Sequence, residues 1–294
     1  MRNEKFKGIV AAIVTPFDGT GEVNPAAIRA LVRHLIGKGI DGFYVCGSTG
    51  EAFLLTEEER RRVLDCVLEE NNGEKPVIAH VGAISTREAI RLAKHAARAG
   101  ADAVSAISPF YYKFSQEEIA RYYLDISAAV PTPMFIYNFP NQSGFALTPA
   151  LLDRLCAEGN IAGVKFTSNN FFDLEVMKSA HPGLTFWNGY DEMLLSGLAA
   201  GADGAIGSTF NVNAPIAKRV YQCFGAGDMA EARKWQHKIN EMLTINKRHG
   251  NLKMLRRELE LLGVPVGACR PPYLPLDAGA EADARDVAER FASV

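Results

Sequence analysis

The strongest constraint on the fold is a repeated unit, a short apolar run followed by a helical pattern. Eight such runs occur, GIVAAIVTPF from residue 8, GFYVCGST from 42, PVIAHVG from 76, DAVSAIS from 102, PMFIYNF from 133, IAGVKFT from 161, LTFWNG from 184 and DGAIGST from 203. This alternation is typical of a parallel sheet covered by helices. Eight copies of the unit predict a (β/α)8 TIM barrel of the α/β class.

Helix starts between the runs carry a chemical signature, because Ser or Thr followed three residues later by Glu satisfies free N–H groups from both directions. The pairs are Thr56 with Glu59, Ser85 with Glu88 and Ser115 with Glu118, while Asn24 and Thr148 each precede a proline. A doubly wound sheet is the alternative fold. It is disfavoured because no G-x-G-x-x-G follows the first run.

Strand patterns stop after residue 213, and four amphipathic helical stretches follow. The stretches are NAPIAKRVYQCFGAG, DMAEARKWQHKINEMLTINKRHG, NLKMLRRELELLG and AEADARDVAERFAS. The first closes the barrel as its eighth helix. We therefore predict a barrel over residues 1–226 and a helical extension over 227–294 that packs on it, the two forming one structural unit.

Composition and charge exclude several classes of partner. The net charge of −2 gives no basis for binding nucleic acid or an anionic membrane surface. The five scattered cysteines form no CxxC pair, which argues against a disulfide framework. The N-terminus MRNEKFKGIV has no long apolar segment, and no run reaches the roughly 18 apolar residues of a membrane span. We expect a cytoplasmic protein without a membrane partner.

The active site of such a barrel lies where the strands end, so polar groups at those positions are candidates. They are Gly47 to Glu51, Tyr137 with Asn138, Lys165 to Thr167, Gly189 to Glu192, and Gly207 to Thr209. Lys165 and Thr167 share one strand face, on which Gly163 leaves room below the lysine. A lysine among apolar neighbours has a lowered pKa, which frees its amine to attack a carbonyl. The pattern favours Schiff-base chemistry.

Three further groups each have two interpretations. Tyr137 is either a general acid or base or a buried tyrosine bound to a backbone carbonyl. The turn GSTGE is either a cradle for a small carboxylate or an ordinary turn. Asp191 and Glu192 either stabilise a helix N-terminus or, with Ser208 and Thr167, bind a polyhydroxylated chain.

The motifs GSTGEAF, FYYKFS, IYNFPNQSGF, GVKFT, NGYDEML and GADGAIGST occur in this order from about residue 6 to the C-terminal helices. In order and spacing they resemble the pyruvate-dependent class I aldolases, the family of dihydrodipicolinate synthase and N-acetylneuraminate lyase. The chain is most similar to the lyase branch. That resemblance implies cleavage of sialic acid to N-acetylmannosamine and pyruvate.

The resemblance also implies roles by position. Lys165 would form the imine with pyruvate, Ser48 and Thr49 would hold its carboxylate, and Tyr137 would move the proton of the hydroxyl at the bond that breaks. Tyr111 matches a tyrosine that enters the neighbouring subunit's site, so a homotetramer is implied. The positions that match the sugar-binding ones are Thr167, Gly189, Asp191, Glu192 and Ser208. No cofactor is implied beyond the covalent pyruvate.

Several alternatives remain within and outside the family. Gln142 stands where the synthase branch has an arginine that binds a substrate carboxylate, which counts against a synthase, while a 2-keto-3-deoxygluconate aldolase stays open. The lyase branch also uses helices around HGNLKML, whose alignment is not determined.

Outside the family, a metal-dependent aldolase needs clustered ligands, but the six histidines show neither HxH nor HExxH spacing. His80, the histidine of the third run, is best interpreted as a core residue. A phosphate or flavin barrel fits Gly207 to Thr209, although Asp191 and Glu192 would repel the anion. A non-catalytic sensor is expected to have lost Lys165 or Tyr137.

Overall fold

Eight parallel strands form a closed barrel in the computed structural model, which describes residues 4–291. The strands are β1 Gly8–Ala12, β2 Gly42–Val45, β3 Val77–His80, β4 Ala103–Ile107, β5 Met134–Asn138, β6 Ile161–Phe166, β7 Thr185–Asn188 and β8 Gly204–Gly207. Each strand pairs with the next, and β8 pairs with β1. The predicted (β/α)8 barrel is confirmed.

Helices surround the barrel and continue beyond it. They are α1 Pro25–Gly37, α2 Glu57–Asn71, α3 Thr86–Ala99, α4 Gln116–Ala128, α5 Pro140–Ser143, α6 Pro149–Glu158, α7 Phe171–Ala180, α8 Leu194–Ala199, α9 Phe210–Gly225, α10 Met229–His249, α11 Asn251–Leu261 and α12 Ala278–Phe291. No helix among residues 4–291 is both long and apolar enough to cross a membrane.

The predicted helix starts hold with one correction. Thr56 and Ser115 form complete capping boxes with Glu59 and Glu118. Asn24 and Thr148 also cap their helices, since each side chain accepts a hydrogen bond from the backbone three residues later. The capping box predicted at Ser85 is wrong, because its side chain makes no capping bond within the described chain, although α3 does begin at the next residue.

Large side chains fill the inside of the barrel. Phe6 lies at the N-terminal end of the strands, where its ring packs edge-on against Phe135 and Trp187 with centroid distances of 5.2 and 6.2 Å. All three side chains are at most 1% exposed. The barrel is therefore a packed core that is closed at this end, and its polar groups collect at the other end.

The C-terminal helices pack against one side of the barrel through α9. Pro215 lies inside α9 and cannot donate a helical hydrogen bond, and the backbone departs from helical angles at Asn213. α10 contacts both α8 and α9, and α11 and α12 pack against α10. The division at residue 226 stays a prediction. The last three residues of the predicted extension, 292–294, lie outside the described chain.

Candidate active site

Lys165 lies inside the barrel near the C-terminal end of β6 and is only 4% exposed. Register places it directly beside Tyr137 of β5. Its Nζ is 4.1 Å from the centroid of the Tyr137 ring and 4.3 Å from that of Tyr44. Burial lowers the pKa of the Lys165 amine to about 7, against the opposing effect of the Asp191 carboxylate. A large fraction of the amine is thus neutral near pH 7.

The space below Lys165 is filled rather than empty. A Cβ atom at Gly163 would lie 1.9 Å from the carbonyl oxygen of Thr185 and 2.9 Å from the Phe135 ring. The expectation that this glycine leaves room below the lysine is therefore corrected. Gly163 lets β6 approach β7 and Phe135 closely, which gives the lysine a tightly packed floor.

Tyr137 is buried beside the lysine and faces hydroxyl groups. The Ser48 and Thr167 hydroxyls lie beside the Tyr137 hydroxyl. Burial raises the pKa of the phenol, and the interactions with these two hydroxyls lower it in part. The rings of Tyr44 and His80 pack edge-on against it with centroids 6.0 Å away. Within the described chain its hydroxyl bonds no backbone carbonyl, so the partner expected for a purely structural tyrosine is missing there, and the acid–base role stays a prediction.

The turn after β2 presents free backbone donors. Cys46 and Glu51 flank it with left-handed φ angles of 57° and 55°. Inside the turn, the Gly50 N–H bonds the Gly47 carbonyl at 3.0 Å, whereas the N–H groups of Ser48 and Thr49 donate to no other residue in the described chain. Two N–H groups and two hydroxyls therefore remain available for an anion.

Asp191 is buried between the ends of β7 and β8. Its Oδ2 accepts a hydrogen bond from the Thr209 N–H at 2.7 Å and from the Ser208 hydroxyl at 3.1 Å. Burial raises the pKa of the Asp191 carboxyl to about 6, although these bonds lower it. The donors with which a phosphate barrel would bind its ligand are occupied by this carboxylate, which counts against a phosphate site.

Residues of the C-terminal helices form one wall of the site. Lys247 of α10 forms an ion pair with Glu192, with 2.7 Å between Nζ and Oε1. Asn251, the first residue of α11, donates from Nδ2 to the Ser208 hydroxyl at 3.2 Å. The segment around HGNLKML, whose alignment the sequence left undetermined, therefore reaches this wall of the site through Asn251.

A cavity of about 220 Å³ joins these groups. It is lined by the predicted residues Ser48, Thr49, Tyr137, Lys165, Thr167, Gly189, Asp191, Glu192 and Ser208, and also by Ala12, Phe139, Tyr190, Ile206, Leu243, Lys247 and Asn251. Tyr111 is outside it and is 84% exposed. Every residue to which the resemblance assigned a role, except Tyr111, therefore lies at one cavity of this chain.

Comparison with known proteins identifies the family. The profile of the dihydrodipicolinate synthetase family matches residues 5–290. The chain belongs to the dihydrodipicolinate synthetase family. N-acetylneuraminate lyase of Salmonella paratyphi B is 43% identical to this member over 276 residues, which cover 92% of each chain. The predicted family is confirmed, and this relative belongs to its lyase branch.

Solved structures resemble this family member along its whole length. CdNal from Clostridium difficile, in complex with mannosamine, shares 36% identity and a TM-score of 0.95, covering 97% of this chain and 99% of its own. A catalytic lysine mutant of Ruminococcus gnavus sialic acid aldolase shares 34% identity and a TM-score of 0.97, covering 100% of this chain and 98% of its own.

A close approach explains one glycine of the site in this family member. A Cβ atom at Gly189 would lie 1.8 Å from the Thr167 hydroxyl oxygen, so a larger residue would displace that hydroxyl from the cavity.

His80 is the core residue that the sequence favoured. Its Nδ1 bonds the Cys46 carbonyl at 2.9 Å, and Nε2 accepts the Ile107 N–H at 3.2 Å. Within residues 4–291, no three His, Cys, Asp or Glu side chains gather at a metal-binding position.

Sequence reasoning missed two kinds of site residue in this family member. Tyr44 lies in β2, and strand alternation places its side chain on the inner face of the barrel. Phe139 directly follows β5. That signal was present in the sequence. Lys247 and Asn251 carry no local signal, because only the packing of α10 and α11 on the barrel brings them to the cavity.

Proposed function

We propose that this family member cleaves N-acetylneuraminate to N-acetylmannosamine and pyruvate through a Schiff base on Lys165. The observation that carries the proposal is a buried amine with a pKa near 7 in a cavity whose rim carries hydroxyl and carboxylate side chains. The curated relatives bear the name of this lyase, and the chain spans 92% of their length.

The first step joins the substrate to the floor of the cavity. The neutral Lys165 amine attacks the C2 keto group of the open-chain sugar acid, and water leaves as the imine forms. Ser48 and Thr49 bind the neighbouring carboxylate through their free N–H groups and hydroxyls. Once protonated, the imine withdraws electrons from the adjacent C3–C4 bond.

The second step breaks that bond. Tyr137 accepts the proton of the C4 hydroxyl while passing its own proton to a neighbour, because its raised pKa disfavours a free phenolate. Ser48 is the hydroxyl beside it that can relay this proton. The C4 carbon leaves as the aldehyde of N-acetylmannosamine. The remaining enamine takes a proton at C3, and water then releases pyruvate from Lys165.

The rest of the cavity suits a sugar chain. Thr167, Asp191, Glu192 and Ser208 offer hydroxyls and carboxylates, and a site that hydrogen-bonds hydroxyls discriminates strongly against substrates without them. Gln142 lines an adjoining cavity with Ser48 and supplies no cation for the carboxylate of aspartate semialdehyde. This favours the lyase over the synthase.

The assembly and the location belong to the same proposal. We propose a homotetramer in which Tyr111 of one subunit enters the site of its neighbour. Its exposed ring packs edge-on against exposed Tyr112, and Phe53 and Leu54 nearby in the adjoining cavity wall are also exposed apolar side chains. A cytoplasmic location stays a prediction from the sequence.

One experiment tests the chemistry and a second tests the substrate. Borohydride reduction with pyruvate present should add the reduced pyruvyl group to the peptide that contains Lys165, as read by mass spectrometry, and Lys165→Arg should remove the label. A label confined to other lysines contradicts the mechanism. In parallel assays, sialic acid should be turned over faster than 2-keto-3-deoxygluconate or aspartate semialdehyde, and the opposite order would assign another branch of the family.

A further inference from the structure

The carboxylate-binding turn is held from behind by a buried ion pair that the proposed mechanism does not use. Glu51 ends the turn, and its carboxylate is bound by the guanidinium of Arg256 from helix α11. The side chains are 1% and 2% exposed respectively. The pair therefore connects the C-terminal helices to the turn that carries Ser48 and Thr49.

Arg256 organises more than one segment around that turn. Nη2 also donates to the Thr15 carbonyl at 2.6 Å, while Nη1 donates to the Val266 carbonyl at 2.9 Å. The Thr15 hydroxyl in turn donates to the Gly50 carbonyl at 2.7 Å. The second carboxylate oxygen of Glu51 accepts the Arg270 N–H at 2.9 Å. Both oxygens of the Glu51 carboxylate are thus bound by residues from the C-terminal region.

Stability alone is a weak reason for such a pair. Desolvating two charges offsets much of their attraction, and apolar replacements of a buried pair are often neutral. The turn, however, needs restraint, because Cys46 and Glu51 both have left-handed φ angles that non-glycine residues disfavour. Pairing also neutralises a carboxylate that lies three residues from Ser48 and would otherwise repel a bound anion.

We propose that Arg256 and Glu51 are positioning residues, whose ion pair holds Ser48 and Thr49 in the conformation that binds the carboxylate of an α-keto acid. The inference rests on the proposed function and extends it to the C-terminal helices. Helix α11 then serves the site twice, through Asn251 at the sugar-binding side and through Arg256 at the carboxylate side.

The test separates positioning from folding. Arg256→Met leaves Glu51 buried without its cation and should lower stability. The double variant Glu51→Gln with Arg256→Met removes both charges and should recover stability. The matched control is Lys178→Met, which breaks the partly buried ion pair with Asp203 outside the cavity. The readout is the pyruvate concentration that gives half-maximal borohydride labelling of Lys165, measured below each variant's Tm.

We expect that concentration to rise roughly tenfold or more in both Arg256 variants and to stay within roughly twofold of the wild type in the control. Recovery of pyruvate binding together with stability in the double variant would overturn the proposal, as would an equal rise in the control. Should Arg256→Met fail to fold, Thr15→Val removes the bond to Gly50 without changing charge and should also weaken labelling. Absence of labelling in the wild type would instead refute the proposed function itself.

Discussion

At the scale of the residue, burial lowers the pKa of the Lys165 amine, which suits it to the proposed role of nucleophile. Its pKa near 7 predicts that imine formation with dilute pyruvate accelerates roughly tenfold per pH unit up to about pH 7 and is level above it. A rapid-quench time course with borohydride between pH 5.5 and 9 measures this. An unshifted lysine would instead accelerate up to about pH 10.

Asp191 provides the internal control for that profile. Its carboxylate raises the pKa of Lys165 against the effect of burial, so Asp191→Asn should move the break in the profile to lower pH. A break that stays in place, or moves upward, would mean that another group controls the amine.

The same scale shows what strand patterns can and cannot predict. Lys165, Tyr137 and Thr167 were predictable because alternation along a strand is local and the barrel assigns every strand end to one face. The packed floor at Gly163 was not, because it depends on a contact with β7 and Phe135.

At the scale of the element, α11 carries a buried carboxylic acid. Glu258 is fully buried, its carboxyl oxygens lack a well-formed hydrogen bond among the described residues, and burial raises its pKa to about 8, although the Asn246 amide beside it lowers it. The folded protein therefore keeps this carboxyl protonated at pH values where the unfolded chain ionises it. The contribution of Glu258 to the free energy of unfolding is fully present below about pH 4.5 and is lost as the pH rises to about 8.

Glu258→Gln removes that dependence. We expect the variant and the wild type to have similar free energies of unfolding near pH 4.5, and the variant to be more stable by roughly 2–4 kcal/mol at pH 9. Urea unfolding at both pH values measures the difference, in which groups common to the two proteins cancel. A difference independent of pH would show that Glu258 is already ionised in the folded state.

Elements differed in how far the sequence predicted them. The starts of α2 and α4 were predicted with their caps, because a capping box depends only on four consecutive residues of the sequence. The resemblance pointed to the helices around HGNLKML, but the residues they bring to the site were not predictable, since Lys247 and Asn251 reach it only through long-range packing against Glu192 and Ser208.

At the scale of the whole molecule, the proposed homotetramer predicts that one chain does not complete the site, because Tyr111 lies outside the cavity of its own chain. Its ring is 84% exposed and its φ angle of 78° is strained for a residue other than glycine. If Tyr111 serves a neighbouring subunit, Tyr111→Ala should slow turnover roughly tenfold or more, and Lys165→Arg should abolish it.

Mixed oligomers of those two impaired variants provide the sharper measurement. Co-expressed subunits should regain part of the activity, because a site with an intact Lys165 then receives Tyr111 from its Lys165→Arg neighbour. The control is a mixture of the separately assembled variants, and light scattering gives the subunit number. Failure of co-expression to restore any turnover would mean that Tyr111 does not act across an interface.

The ring of Phe6 has a consequence for the order of events. Because it closes the barrel below Phe135 and Trp187, a molecule bonded to Lys165 can leave only past the groups at the rim, where Glu192 and Lys247 stand. The fragment nearer the rim must depart before the fragment held on the floor. In the proposed reaction, N-acetylmannosamine is therefore the first product released and pyruvate the last. In the reverse direction pyruvate must enter first, so excess pyruvate competes with the sugar acid for the free enzyme.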